Sequence, residues 1–267
     1  MAAFHNLNAL STPKAVREAA RQGLLSGPTS GLASGYVQVN LVILPEAEAA
    51  GFLRFCQANP KPCPLLAVSE PGARNCAAMA TDLDIARDVP AYRIYRNGVA
   101  TETVADVTDE WRDDLVTFAL GCSFTFEHAL IQAGLRIRHI DQDRNVPMYQ
   151  TSVPLTPAGG FQGNLVVSMR PFLAADAIRA IQITTRYPQV HGAPVHLGNP
   201  GLIGIRELHA PDYGDSVSVA DEEIPVFWAC GVTPQQVLID SGVSFAITHS
   251  PGHMLVTDIP DSTLALF

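Results

Sequence analysis

The stretch VFWACGVTPQQVLIDSGVSFAITHSPGHM, residues 226–254, reads as strand, tight polar loop, helix, strand and polar loop. The apolar run from Val226 stops at Cys230-Gly231, Thr233-Pro234 supply an N-cap and a first-turn proline, and Gly242 closes the helix before the apolar residues 245–247. That is the pattern of a βαβ unit. With both strands parallel in one sheet, Cys230 and Thr233 would project from the carboxyl end of one, and Thr248, His249 and His253 from that of the other. Open α/β sheets bind small ligands along that edge.

A second βαβ candidate precedes it. Residues 37–44 are apolar around Asn40, Pro45 opens a helix that NPKPCP ends, and Leu65 starts the next strand. A helix is predicted over residues 12–23, followed by a Gly/Ser/Pro loop to Gly35. Asn97-Gly98 between two strand-like runs predicts a hairpin. Helices are predicted over residues 108–120 and 124–133, the latter leading into a short strand, LRIRHI. Beyond it, short strands (LVVSM, PVHLG, IGIRE, DSVSV) surround one helix over residues 173–186. The architecture implied is α/β, a mixed sheet flanked by helices. The main domain takes residues 1–140 plus 226–267, and residues 141–225 form an inserted smaller α+β lobe.

Composition excludes several function classes. The chain of 267 residues is 47% hydrophobic, enough for a large core. With 17 Lys and Arg against 26 Asp and Glu, a net charge of -9, it has no basic stripe for nucleic acid or an anionic membrane. No apolar run reaches bilayer length and the first thirty residues lack a signal-peptide pattern, so a soluble cytoplasmic protein is expected. Five cysteines without CxxC spacing fit reduced thiols.

Three polar groups beside apolar strands are candidates for chemistry. In SMRP, Arg170 next to Ser168 suits a clamp for a carboxylate, the structural alternative being a pair with a neighbouring acid. HGAPVH places His191 and His196 around a turn, where a histidine serves as general acid or base, or is held by backbone hydrogen bonds. In THSPGHM, His249 and His253 are four apart, but Pro251-Gly252 forbids the helix that a metal pair would need, so acid/base work is the stronger reading. Glu127 is a candidate orienting or catalytic carboxylate. Lys61 in the rigid NPKPCP loop and Arg144 with Asn145 in RNVPMY are candidate binders, each with a plain surface role as the alternative.

Taken with QVNLVILP, FCQANPKPCPLL, WRDDLVTFALGCSFTFEHAL, ITTRYPQVHGAPVHLG and PVFWACGVTPQ, these motifs resemble the "putative hydro-lyase" family, also called YcsI-like, which is similar to part of D-glutamate cyclase. The resemblance spans roughly residues 40–258. It implies a two-lobe α/β fold and reversible loss of water from a small carboxylate or amino acid, with D-glutamate and 5-oxo-D-proline as one such pair. For that chemistry Arg170 is the expected clamp, the helix start at Thr233 the oxyanion or carboxylate binder, and His191 or His253 the acid/base. Neither metal nor cofactor is expected, and a homodimer is left open. Two other classes stand beside this reading: a metal-dependent hydrolase using His249 and His253, and a non-catalytic carboxylate-binding protein.

Overall fold

The computed structural model describes residues 10–266. Helix α1 (Pro13–Arg21) starts at Thr12, whose hydroxyl accepts the Ala15 N–H. Strand β1 (Tyr36–Pro45) follows the Gly/Ser loop and is buried along its length after Tyr36. Its alternate residues point to opposite faces: Val37, Val39, Leu41 and Ile43 join one core cluster, Val42 and Leu44 another. A strand so enclosed needs partners on both edges. On one it pairs antiparallel with β5 (Leu115–Gly121); on the other it is shared by β10 (Phe245–His249) and β11 (Leu255–Pro260).

The large sheet is completed by β2 (Leu65–Val68) beyond β5, and by the hairpin β3 (Tyr92–Arg96) and β4 (Val99–Val104) beyond β10. Asn97 and Gly98 both take positive φ at the hairpin turn, as the sequence predicted. Helices α2 (Glu46–Ala58) and α6 (Thr233–Asp240) cover one face through Phe52, Phe55, Val237 and Leu238. The second, four-stranded sheet has the order β6 (Met148–Pro154), β7 (Asn164–Leu173), β9 (Glu223–Ala229), β8 (His196–Leu197). Val226 and Trp228 of β9 face α3 (Phe124–Gln132) and α5 (Ala174–Thr185); Phe227 and Ala229 face the irregular segment that carries Ile203, Ile205 and Val217.

The α/β architecture holds, and several particulars differ from the sequence reading. The opening stretch is not a parallel βαβ unit: β9 pairs with β7 in the second sheet, whereas β10 lies between β1 and β3 in the first, so α6 crosses from one sheet to the other. All named ladders are antiparallel. The earlier unit, β1–α2–β2, does keep its two strands in one direction, because each is antiparallel to β5 inserted between them. Residues 115–120, read as the second half of a helix over 108–120, lie in the central strand β5, where every residue is buried; pairing on both edges overrides a weak helical pattern. LRIRHI is not a strand but leads into the single helical turn α4 (Arg138–Asp141). IGIRE and DSVSV lie outside the named strands.

Candidate functional site

The two sheets meet where β1, β5, β7 and β9 converge. Asn40, in the middle of β1, donates from Nδ2 to the Gly121 carbonyl at 2.8 Å. A Cβ on Gly231 would fall 2.0 Å from the Asn40 side chain, and one on Gly121 would fall 2.0 Å from the Gln189 carbonyl oxygen. Both glycines therefore serve close approach: they let the loops after β9 and β5 close on the β1 amide and on residues 189–190. Soon after Gly121 come Ser123 and Glu127, two polar residues of the site.

At its centre lies a buried ionic knot. Arg170, inside β7, donates from Nε to Glu127 Oε1 at 2.9 Å and from Nη2 to the same oxygen, with Ser123 Oγ at 3.1 Å and Ser168 Oγ at 3.0 Å accepting further N–H groups. Four of the five guanidinium N–H groups are thus engaged, leaving one on Nη1. The guanidinium stands 5.4 Å from the Phe126 ring centroid and 5.5 Å from that of Trp228. Glu127, in the first turn of α3, also faces His139 Nε2 at 3.3 Å and accepts from Ser30 Oγ at 3.2 Å. Burial by itself would raise the Glu127 pKa; the charges of His139 and Arg170 and their hydrogen bonds reverse this and hold it at about 2. The other oxygen neighbour of His139 Nε2 is Ser30 at 3.3 Å, while its Nδ1 is buried without a partner. A narrow cleft of about 20 Å³, room for roughly one water, opens between residues 31–36 and α3 and is lined by Glu127, Phe124 and Gln38.

The Gly/Ser loop is tied over this knot at Thr29. Its N–H donates to Gly252 O at 2.9 Å, its hydroxyl accepts from Met254 N at 2.9 Å, and its carbonyl accepts from Gln38 Nε2 at 3.0 Å. Cys122 and Cys230 lie in one apolar cluster with Met148, Val166 and Met254. Burial raises both thiols, that of Cys230 to about 11, so neither is a poised nucleophile.

Of the residues singled out from sequence, Arg170, Ser168 and Glu127 come together in this knot. The SMRP motif lies within β7 and not at a strand end, so Arg170 is enclosed rather than presented at an edge. Lys61 and His191 form a second pair: His191 Nδ1 lies 2.8 Å from the Lys61 carbonyl. Thr233 is not the N-cap of α6 but its first residue, and its hydroxyl is clasped to the backbone N–H and C=O of Val166, both at 3.1 Å. His249 sits beside the Ser250 carbonyl at 2.8 Å and Gln235 Nε2 at 3.4 Å, and burial lowers its pKa to about 4. His253 places Nδ1 3.0 Å from Pro251 O and Nε2 3.2 Å from Ser26 O, tying its loop to residue 26. Asn145 donates to Pro251 O at 3.1 Å, and its Oδ1 is buried without a partner. Arg144 reaches the Ser216 carbonyl, and His196 lies 2.7 Å from Asn199 O with its ring against Phe227. Among the described residues no three His, Cys, Asp or Glu side chains gather in a metal-holding group, and no helix is long and apolar enough to cross a membrane.

Sequence reasoning missed His139, Ser30, Ser123 and Thr29. His139 was hidden in a segment read as strand. The serines and threonine look like ordinary turn residues in GPTSGLASG and GCS, and only the fold brings them to Glu127 and Arg170.

A family model described as D-glutamate cyclase matches residues 116–258, more than half of the chain, and all of the knot except Ser30. A Bordetella pertussis protein is 61% identical over 248 residues, covering 93% of this chain and 90% of that one. A Burkholderia lata protein is 57% identical over 256 residues, covering 96% of this chain and all of its own length. One from Xanthobacter autotrophicus is 57% identical over 258 residues, 97% and 94% of the two chains. Each carries the name "Putative hydro-lyase". Among solved structures, a nitrogen repressor-like protein from Methanococcus jannaschii aligns with a TM-score of 0.37 at 9% identity over 91% of this chain and 97% of that one, too loosely to bear on fold or function. On the family model and the extent of these identities, the chain belongs to the D-glutamate cyclase family, alongside relatives that bear the hydro-lyase name.

Proposed function

We propose that this protein is a hydro-lyase acting on a small carboxylate, with D-glutamate and 5-oxo-D-proline as its pair, and that the Glu127–Arg170–His139 knot is its reacting centre. The observation that carries the reading is the knot itself. A fully buried carboxylate, guanidinium and imidazole cost desolvation energy that a well-packed apolar core would avoid, and such groups cluster at functional sites. The family gives the reaction class.

In lactam closure the substrate nitrogen bonds to the side-chain carboxyl carbon, the C–O bond of the departing oxygen breaks, and the two protons shed by the ammonium leave with that oxygen as water. The remaining Nη1–H of Arg170 is the donor for a substrate carboxylate oxygen. Glu127, ionised at neutral pH, accepts a proton from the ammonium. His139 faces Glu127 through Nε2 and has an unpartnered Nδ1, which suits it to hand a proton to the departing oxygen. Access requires the segment carrying Ser30 to yield, since that residue bridges Glu127 and His139.

The test is incubation with each compound followed by chiral chromatography of the products. Interconversion is expected, with Arg170→Lys losing about 100-fold in turnover and His139→Gln a similar factor. Failure of both compounds, with another small hydroxy acid dehydrated, would remove the lactam chemistry and keep the hydro-lyase class. If His139→Gln and Arg170→Lys turn over at the wild-type rate, the knot is not the reacting centre.

A further inference from the structure

A short flap touches the knot. Residues 26–31 run between two apolar anchors, Leu25 and Leu32, which are buried in one cluster with Val16 of α1 and Val256 of β11. Between the anchors only Thr29 is buried, and the segment belongs to no helix or strand. Ser30 Oγ reaches Glu127 and His139. The flap is fastened to the turn at residues 251–254: the Thr29 N–H donates to Gly252 O at 2.9 Å, the Met254 N–H donates to Thr29 Oγ1 at 2.9 Å, and the His253 ring meets Ser26 O. A short span packed at its ends and held in its middle by a few polar contacts is the kind of unit that opens locally.

His253 is the unusual contact. Its Nδ1 lies 3.0 Å from Pro251 O and its Nε2 3.2 Å from Ser26 O. Both oxygens are backbone carbonyls, which only accept, and a neutral imidazole carries one N–H. In the neutral ring one nitrogen therefore turns a lone pair toward a carbonyl, whereas the imidazolium donates to both. Pro251 O is also held by Asn145 Nδ2 at 3.1 Å, so the partner free to move away is Ser26 in the flap. The flap itself carries no ionisable side chain. Glu127 and His139 face it through Ser30. On β10 stands His249, its pKa lowered to about 4 by burial first and then by the charges of His253 and Arg93. Arg144 reaches Ser216 O, Asp215 accepts the Asn145 N–H, and Arg17 is paired with Asp258 beyond Met254.

We propose that residues 26–31 are a proton-controlled cover of the knot, clasped when a doubly protonated His253 bridges Pro251 O and Ser26 O, and released when the ring loses a proton. Closing then takes up a proton. By linkage the closed form gains as pH falls through the range in which histidines titrate, and it loosens as pH rises through that range. The sign is opposite to that of His191 and His249, which are buried neutral and lower global stability as pH falls. The clasp rests on the geometry of the turn; only its bearing on substrate access rests on the knot being the reacting centre.

Amide hydrogen exchange of the full chain, expressed as protection factors so that the intrinsic pH dependence of exchange is removed, reads the clasp without turnover. Protection at Thr29 and Met254, whose N–H groups bind across the junction, should rise about tenfold from about pH 8 to about pH 5.5, as expected for one partly exposed charge-assisted hydrogen bond. Protection at the Leu25 anchor, whose N–H donates to Ala19 O at 3.2 Å, should stay flat. In His253→Gln the response at Thr29 and Met254 should vanish. Should that variant not fold, ¹⁵N spectra of the wild-type ring decide, and both ring nitrogens should be protonated over the range where the flap is protected. A flat profile at Thr29, an equal rise at Leu25, a rise that survives in His253→Gln, or a bare ring nitrogen while the flap is protected would each overturn the proposal. A pH-dependent clasp in a protein that turns over neither D-glutamate nor 5-oxo-D-proline leaves the cover standing and the lactam reading fallen; turnover with a flat exchange profile does the reverse.

Discussion

Glu127 shows how much one buried residue depends on its neighbours. Its carboxylate is charged only because Arg170 and His139 are there, so removing a partner leaves an uncompensated charge in the interior. Glu127→Gln is expected to lower stability by about 3 to 5 kcal/mol, read as a fall in the urea midpoint; a variant as stable as the parent would show that the pair is not held as drawn. The same groups set the acid limit. His191 and His249 are held to about 4 against an ordinary 6.5, so the unfolded chain binds more protons between those values and stability falls as pH drops through that window. Glu127, held at about 2 against 4.5, contributes stability that is present above about pH 4.5 and is lost as pH falls toward 2. Urea titrations should therefore show a first decline in midpoint below about pH 6.5 and a second below about pH 4.5. Replacing both histidines by asparagine, which tolerates the left-handed backbone at residue 191, should flatten the first decline and spare the second.

At the level of elements, β5 is the strand that carries the large sheet into the site. It lies between β1 and β2, and its last residue, Gly121, brings the following turn against residues 189–190. Its C-terminus leads through Cys122 and Ser123 into α3, which places Glu127 one helical turn in. A methyl group on Gly121 meets the Gln189 carbonyl, which is backbone and cannot swing away. Gly121→Ala should accordingly cost about 1 to 3 kcal/mol, seen as a lowered melting temperature, and should disturb the His191 turn, seen as a shift of its ring resonances. Gly27→Ala, where the backbone has no positive φ and no atom stands within 4 Å of the added carbon, is the control for the loss of glycine's chain freedom alone. Equal losses in the two variants would count against the close-approach account.

Across the whole molecule, the large sheet joins the chain's distant segments: β1 from the first fifth, β5 from the middle, and β10 and β11 from the end. The second sheet is bound to it through Arg170–Glu127, through Thr233 on Val166, and through Gly231 against Asn40. With the chain interleaved in this way, a single unfolding transition is expected. The two tryptophans report on the two sheets: Trp228 is buried in β9, and Trp111 packs beside the core of the large sheet and donates to Gly72 O at 2.9 Å. Fluorescence of Trp111→Phe and Trp228→Phe proteins should give coincident denaturant midpoints once each is referred to its own far-UV transition; separated midpoints would mean that the sheets unfold independently.

Local pattern alone determined the strands 36–45 and 245–249, the helices 46–58, 124–132 and 233–240, and the Asn97-Gly98 hairpin, because alternation, caps and turn residues act over a few positions. It also singled out Arg170, Ser168, Glu127, Lys61 and His191, since polar side chains beside apolar runs are costly wherever they lie. Only the tertiary structure decided which strands pair. Residues 115–121 have an apolar run compatible with helix, and flanking strands on both edges made them a strand. Val226 to Ala229 and residues 245–249 have the spacing of a parallel pair, yet β7 claims one and β1 with β3 the other. The same long-range choice assembled the knot. Glu127 meets Arg170 and Ser30 across 43 and 97 residues of sequence, separations over which periodicity carries no information, and there burial and charge complementarity select the partners.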